Sequence, residues 1–184
     1  ALDSVSDAIA NGLAYITEDR KGDGLVLMDT IKRNTALSRL DFVSDRGIID
    51  VDKEQHAAEE YRQKLDIKAP SVEQIVGNLS GGNQQKVLVG KWMFAKPDIM
   101  MLDEPTRGID VNAKYEIYCI INDLVRQGKS ILMVSSELPE ILGMCDRIYV
   151  MCEGRIVGEL SKEEATQEII MDKIMQASKG EVGQ

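Results

Sequence analysis

The sequence predicts an α/β fold in which a parallel sheet is covered by helices on both faces. Two short segments, 99–102 and 130–134, are almost wholly apolar and have the length of buried strands. The segment between them, 111–127, carries apolar residues on one helical face and is followed by Gly128. Because buried strands that alternate with amphipathic helices are typical of parallel sheets, this pattern decides the fold class.

The region before the first of these strands combines short elements with a long helical stretch. Charged residues of 51–65 fall on one helical face, and Pro70 and Gly77 mark the end of that stretch. Phe94 is expected to pack against the sheet. The expected order is a helix over 4–11, a strand over 13–17, a charged loop over 18–24, a helical insert over 29–77 and a helix over 80–95.

The region after the second apolar strand predicts a hairpin and a final helix. Glu153 and Gly154 form a turn pair between two apolar stretches. Ser161 is a suitable helix cap, and Glu163 and Glu164 suit the positive end of a helix. The expected elements are a helix over 137–144, antiparallel strands over 147–151 and 155–160, and a C-terminal helix and tail over 161–184.

Composition excludes several classes of function. The hydrophobic fraction of 43% over 184 residues indicates a globular chain, and the formal net charge is −9. This negative charge argues against nucleic-acid binding, and so does the small number of aromatic rings that could stack on bases, which are 1 Trp, 5 Tyr and 2 Phe. Three cysteines without C-x-x-C spacing and a single histidine, His56, argue against structural zinc. No apolar segment reaches the roughly 18 residues of a membrane span and no leader pattern is seen, so we expect an intracellular protein. Because the sequence opens close to a predicted helix, we expect a piece of a longer polypeptide.

The strongest motif is Ser80-Gly81-Gly82 at the start of the predicted helix over 80–95. Glycine at a helix start lowers helix stability, but it leaves backbone N–H groups bare at the positive end of the helix dipole. That end suits a phosphate group.

A second motif follows the apolar strand over 99–102, which ends in Asp103 and Glu104. Ligands bind at the carboxyl ends of parallel strands, and consecutive side chains of a strand point in different directions. Asp103 therefore suits a Mg²⁺ ion, and Glu104 suits a water that attacks a γ-phosphate.

Together these motifs resemble the nucleotide-binding domains of ABC transporters. Segment 79–84 is similar to the family's signature motif, 99–104 to its Walker B strand and 108–110 to its D-loop. The sequence is most similar to the second ATPase half of tandem-domain proteins that energise bacterial monosaccharide import of the ribose, galactose and xylose type. The strings that carry this resemblance are 18–21 with 23–25, 79–87, 103–111 and 134–143.

The resemblance implies a three-layer ABC-type P-loop NTPase core with a helical insert subdomain. The parts would be the end of an N-terminal core segment (1–28), the insert (29–77), the ATPase core (78–160) and the C-terminal helix and tail (161–184). It implies ATP and Mg²⁺ as ligands, with Asp103 at the metal and Glu104 catalytic. The implied nucleotide-binding residues are Ser80, Gly81, Gly82, Gln84, Glu18, Asp110 and Ser136.

Three departures from the family pattern bear on activity. No G-x-x-x-x-G-K-[ST] phosphate loop occurs in the 184 residues. Glu18 stands where the family usually has a glutamine that senses the γ-phosphate, and Ser136 stands where it has a switch histidine. Without these groups, we expect this domain's own site to be degenerate and the chain alone to be inactive.

The resemblance implies an ATP-hydrolysing half that gives its signature motif to the ATP site of an N-terminal half of the same polypeptide. Membrane permease subunits would be the direct partners, a periplasmic sugar-binding protein an indirect one, and the cytoplasmic face of the inner membrane the location. Two alternatives stay open: an ABC ATPase that does not serve transport, and a catalytically degenerate regulatory module.

Overall fold

The computed structural model describes the backbone of residues 3–181 and the side chains of residues 3–178. The chain divides into two compact units between Val134 and Ser135. The tail expected beyond residue 181 lies outside the described residues. The elements are α1 (Val5–Ala10), β1 (Leu13–Ile16), α2 (Ile31–Ala36), β2 (Ser44–Asp45), β3 (Ile48–Ile49), α3 (Val51–Lys64), α4 (Gly81–Phe94), β4 (Ile99–Asp103), α5 (Val111–Arg126), β5 (Ser130–Val134), α6 (Leu138–Met144), β6 (Arg147–Cys152), β7 (Arg155–Ser161) and α7 (Gln167–Glu181).

The first unit is built on a parallel sheet in which β4 lies between β1 and β5. Alternate residues of these strands face α4 and α5, and Ile16, Met100 and Leu102 are buried there. The apolar strands and the parallel sheet that the sequence predicts are thus confirmed.

The other face of this sheet is open within the first unit. It carries Tyr15, Ile99, Leu132 and Val134, which are 47%, 41%, 53% and 52% exposed, respectively. Within the first unit, α4 and α5 contact the sheet and each other, and the predicted α/β fold with a parallel sheet is confirmed.

Helix α4 is the centre of the first unit. Its middle is buried on all sides, including Lys86, whose ammonium group donates to the Asp66 carbonyl at 3.0 Å and pairs with Glu116 at 2.9 Å. Lys91 donates to the Gly24 carbonyl at 3.0 Å, and burial lowers the pKa of its ammonium group. These buried cations tie α4 to the loop after β1 and to the insert.

The insert over 29–77 is helical in its main elements, α2 and α3, which both pack against α4. It also contains a short antiparallel pair, β2 and β3, which the sequence does not predict and which stays outside the central sheet. Phe94, expected to pack against the sheet, instead has its ring edge-to-face with Phe42 and Tyr61 of the insert, at centroid distances of 5.6 and 6.1 Å.

The second unit packs the β6–β7 hairpin against α7 around a small core of Ile148, Val150, Leu160 and Ile170. The expectation that the last helix begins at Ser161 is wrong. Ser161 pairs with Arg147 as the last residue of β7, and α7 begins only at Gln167. The following segment forms a turn, in which the Glu164 carboxylate accepts from the Ser161 amide at 3.0 Å.

Candidate functional site

The N-terminus of α4 carries the Ser-Gly-Gly motif. The exposed Ser80 caps the helix, because its hydroxyl accepts from the Asn83 amide. A Cβ atom on Gly81 would lie 2.9 Å from Nη2 of Arg20, and one on Gly82 would lie 2.5 Å from Cβ of Ala113. Close packing therefore favours glycine at both positions, in addition to any requirement of a ligand.

Gln84 lies one turn further along α4 and is only 4% exposed. Its side-chain amide donates to the carbonyls of Val76 and Leu79, both at 3.2 Å. These two hydrogen bonds attach the segment before α4 to the helix and so stabilise the position of the helix N-terminus.

At the carboxyl end of β4, Asp103 lies on the open face of the sheet. The hydroxyl of Tyr15, on neighbouring β1, donates to Oδ2 of Asp103 at 2.8 Å. This hydrogen bond, together with burial and the negative charge of Asp103, raises the pKa of the Tyr15 phenol. Tyr15 therefore fixes the orientation of one carboxylate oxygen of Asp103.

Glu104 has a left-handed backbone, with φ of 45°. This conformation is uncommon for a residue other than glycine, and here the chain turns out of β4 toward α5. The Glu104 amide donates to the Val134 carbonyl at 2.9 Å, and its carbonyl accepts from the Arg107 amide at 3.0 Å. Strained backbone held by neighbouring hydrogen bonds in this way is typical of functional turns.

The loop after β1 meets the loop after β4. Its π-helical turn, Arg20–Gly24, is capped by the Asp19 carboxylate, which accepts from two backbone amides. Glu18 forms an ion pair with Arg107. Arg20 donates to the carbonyls of Arg107 and Gly108 at 2.7 and 3.2 Å, and burial lowers the pKa of its guanidinium group.

Asp110 ends the loop after β4 by capping α5, because its carboxylate accepts from the Ala113 amide at 3.0 Å. The structure thus brings Arg20, Gly108 and Ile109 to the N-terminus of α4, and it pairs Glu18 with Arg107. Ser136 belongs to the second unit, where it is exposed just before α6.

The site also has the donors that Mg²⁺ would need from protein. A carboxylate at a strand end is a suitable hard ligand, and Mg²⁺ is commonly held by one or two carboxylates together with substrate phosphates. Among the described residues, no group of three or more histidine, cysteine or acidic side chains forms a complete metal site. Asp103 is a residue that would hold such an ion together with substrate phosphates.

Comparison of the sequence with protein families gives a match that includes most residues of this site. The family profile described as ABC transporter matches residues 4–107, which include the loop after β1, the start of α4 and the end of β4. The chain belongs to the ABC transporter family.

Several bacterial members of the ABC transporter family are close in sequence. The chain is 64% identical over 170 residues to the L-arabinose transport ATP-binding protein AraG of Geobacillus stearothermophilus, covering 92% of this chain and 33% of that protein. It is 59% identical over 165 residues to the xylose import ATP-binding protein XylG of Moorella thermoacetica, covering 90% and 32%. The chain thus spans about a third of the length of the curated relatives it matches.

Solved structures of ABC cassettes share the fold. The ATP-binding cassette MJ1267 of an ABC transporter superposes with a TM-score of 0.75 at 19% identity, over 92% of this chain and 69% of that one. The cassette MJ0796, in a dimeric post-hydrolysis state with ADP and Pi, gives 0.72 at 21% identity over 88% and 68%. In the described part of our chain, none of the helices is long and apolar enough to span a membrane.

Sequence reasoning missed two residues of this candidate site, Tyr15 and Arg20. Tyr15 could have been found, because it lies opposite Met101 in the parallel register, two residues before Asp103 on the same face. Arg20 lies in a string that resembles the family, but no spacing rule indicates that a loop arginine would bind the carbonyls of residues 107 and 108.

Proposed function

We propose that this chain is part of an ATP-hydrolysing protein that energises the import of a monosaccharide through a membrane permease. The observation that carries this proposal is the arrangement of the Ser80–Gly82 helix start beside the 107–110 segment, with Asp103 and Glu104 at the adjoining strand end. The names of the relatives, which include arabinose and xylose transport, support a sugar as the transported substrate.

The start of α4 would act on a nucleotide held by another ATPase half, the N-terminal half of the same polypeptide. Ser80 is exposed, and the backbone N–H groups of the first helical turn would offer partial positive charge to a γ-phosphate. The length of the relatives, about three times that of this chain, leaves room for such a half.

Asp103 and Glu104 would serve the nucleotide site of this half itself. A Mg²⁺ ion would neutralise phosphate charge there, and Asp103, oriented by Tyr15, would hold it. Glu104 would accept a proton from the attacking water. We infer that this site turns over slowly, because the sequence has Ser136 in place of the family's switch histidine and because Glu18 is already paired with Arg107.

The insert over 29–77 would bind the permease at the cytoplasmic face of the inner membrane, and a periplasmic sugar-binding protein would deliver the sugar. Exposed apolar side chains on this insert, such as those of Ile48 and Val51, suit a protein contact.

The test uses the intact polypeptide and compares two variants. Ser80→Arg, at an exposed position, should abolish most ATP hydrolysis and transport by blocking the approach of the helix start to the other half's nucleotide. Glu104→Gln should cost distinctly less. Gln127→Arg, which places the same side chain at an exposed position past the end of α5, is the matched control.

Steady-state ATPase rates, with ATP binding measured separately, decide between the outcomes. Gly82→Asp is a second variant of the helix start, but its Cβ would also strike Ala113, so its fold has to be checked by melting. If Glu104→Gln removes all hydrolysis while ATP binding is unchanged, this half hydrolyses ATP itself and the asymmetric assignment is wrong. If Ser80→Arg hydrolyses ATP normally, the helix start has no catalytic role.

A further inference from the structure

Arg20 joins three segments that are far apart in the sequence. It lies in the loop after β1, and its two terminal nitrogens donate to the carbonyls of Arg107 and Gly108. The same guanidinium group lies against the start of α4, since a Cβ on Gly81 would be 2.9 Å from Nη2. One side chain thus touches the loops after β1 and β4 and the helix that carries Ser80.

The surroundings of Arg20 leave it little freedom. Nε of Arg20 is buried and has no hydrogen-bond partner, so the guanidinium is held by its terminal nitrogens alone. The carbonyl of Gly108 would also be only 3.3 Å from a Cβ on Gly81, and the Ile109 side chain 3.6 Å. A residue larger than glycine at position 81 would therefore displace Arg20 or the 107–110 segment.

We propose that Arg20 is a positioning residue that holds segment 107–110 against the N-terminus of α4. This inference rests on the proposed function, because those two elements would together face the nucleotide of the other ATPase half. A movement of the loop after β1 would then displace Arg20, and Arg20 would in turn displace segment 107–110 and the start of α4, which would face the nucleotide of the other half. Glu18 supports the same link by pairing with Arg107 from the same loop.

The planar guanidinium is needed for this link. It offers parallel donors in a fixed geometry, whereas lysine offers one flexible ammonium group. Arg20→Lys should therefore bind one of the two carbonyls and recover part of the effect, and Arg20→Met should keep the length of the side chain and lose both hydrogen bonds.

The first test measures amide hydrogen exchange in the intact polypeptide without nucleotide. In Arg20→Met, amides of residues 106–110 should exchange at least about tenfold faster, because a hydrogen bond from a charged donor contributes on that order. Amides in the buried middle of α4, residues 85–92, should be unchanged. Arg126→Met is the matched control, since Arg126 pairs with Asp123 at the exposed end of α5. Unchanged exchange at 106–110 would overturn the proposal, whatever the ATPase activity.

The second test separates positioning from folding. The kcat for ATP should fall at least about tenfold in Arg20→Met, because misplaced groups lower the chemical step, while the dissociation constant for ATP stays within about twofold. Arg20→Lys should be intermediate in both exchange and kcat, with an unchanged melting temperature. An equal loss of ATP binding and kcat, or a fully active Arg20→Met, would contradict a positioning role. Failure of the proposed function would appear separately, as normal hydrolysis in Ser80→Arg.

Discussion

Tyr15 illustrates how much of this site is decided by single side chains. Strand alternation and the parallel register of β1 and β4 place its hydroxyl beside Asp103, on a face of the sheet that is mostly apolar. A carboxylate in such surroundings gains from a donor that fixes one of its oxygens. The tyrosine also responds to this contact, because it becomes a weaker acid.

Asp103→Asn should lower the pKa of the Tyr15 phenol toward its ordinary value of 10.0, since the substitution removes both the carboxylate acceptor and its negative charge. A raised pKa means that the folded state holds the phenol proton more tightly. The corresponding contribution to stability is complete below pH 10 and is lost as the pH rises through the raised value.

The measurement is the absorbance of phenolate as a function of pH, as a difference between wild type and Asp103→Asn. Asp98→Asn is the control, because Asp98 lies just before β4 and pairs with Lys129 in an exposed position. Identical titration curves for wild type and Asp103→Asn would show that the Tyr15–Asp103 hydrogen bond does not form in solution.

At the scale of elements, the close contact between α4 and α5 limits the size of the side chain at position 82, near the start of α4. A Cβ on Gly82 would overlap Cβ of the buried Ala113, at 2.5 Å. Gly82, one of the two glycines that suit a phosphate, is therefore also the residue that lets α4 and α5 approach closely.

Gly82→Ala should lower the free energy of unfolding by about 1–3 kcal/mol, the usual cost of overpacking a well-packed contact. Ala113→Gly alone should cost about 1 kcal/mol through helix propensity. The double variant should recover most of the loss caused by Gly82→Ala, because the space for the new methyl group is restored.

Urea unfolding of the four proteins gives this double-mutant cycle. Gly143→Ala is the control, since no atom would lie within 4 Å of the new Cβ in α6, and this variant should be neutral or slightly more stable. Purely additive losses in the cycle would mean that the helices do not meet at Gly82.

Sequence patterns predicted the elements whose signals are local and failed where long-range pairing decides. The apolar strands and the Ser80 cap follow from periodicity and capping chemistry, so they were predictable. Ser161 has the same capping chemistry, but its pairing with Arg147 keeps it in β7. The β2–β3 pair, with only two residues a strand, gives no periodic signal. The link from Arg20 to residues 107 and 108 depends on tertiary packing, which no local pattern contains.

At the scale of the whole molecule, the chain carries the carboxylates and the helix start on which the proposed ATPase function depends, but its 184 residues contain no phosphate-loop sequence. That loop normally supplies the lysine and the backbone nest that hold the β- and γ-phosphates. The two groups of functional residues in this chain are therefore expected to work only with residues from elsewhere.

The 184-residue chain by itself should bind Mg-ATP no more tightly than millimolar and should show no turnover above background. Isothermal titration calorimetry and a phosphate-release assay test this, with the intact polypeptide as the positive control. Micromolar affinity for the 184-residue chain would show that the described residues form a complete nucleotide site.

The open face of the sheet and the outer edge of β5 have a consequence for handling this chain in solution. Leu132 and Val134 lie on β5, a strand that pairs only with β4 among the described strands and so leaves one row of backbone groups available. Such an edge is a template for intermolecular strand pairing, which the net charge of −9 opposes by mutual repulsion. Because salt screens that repulsion, with a Debye length of about 10 Å at 0.1 M, colloidal stability should fall as ionic strength rises. As salt is added, light scattering should show growing aggregates for wild type and for the control Ile156→Lys, which lies on the second unit's hairpin. Solutions of Leu132→Lys should remain clear.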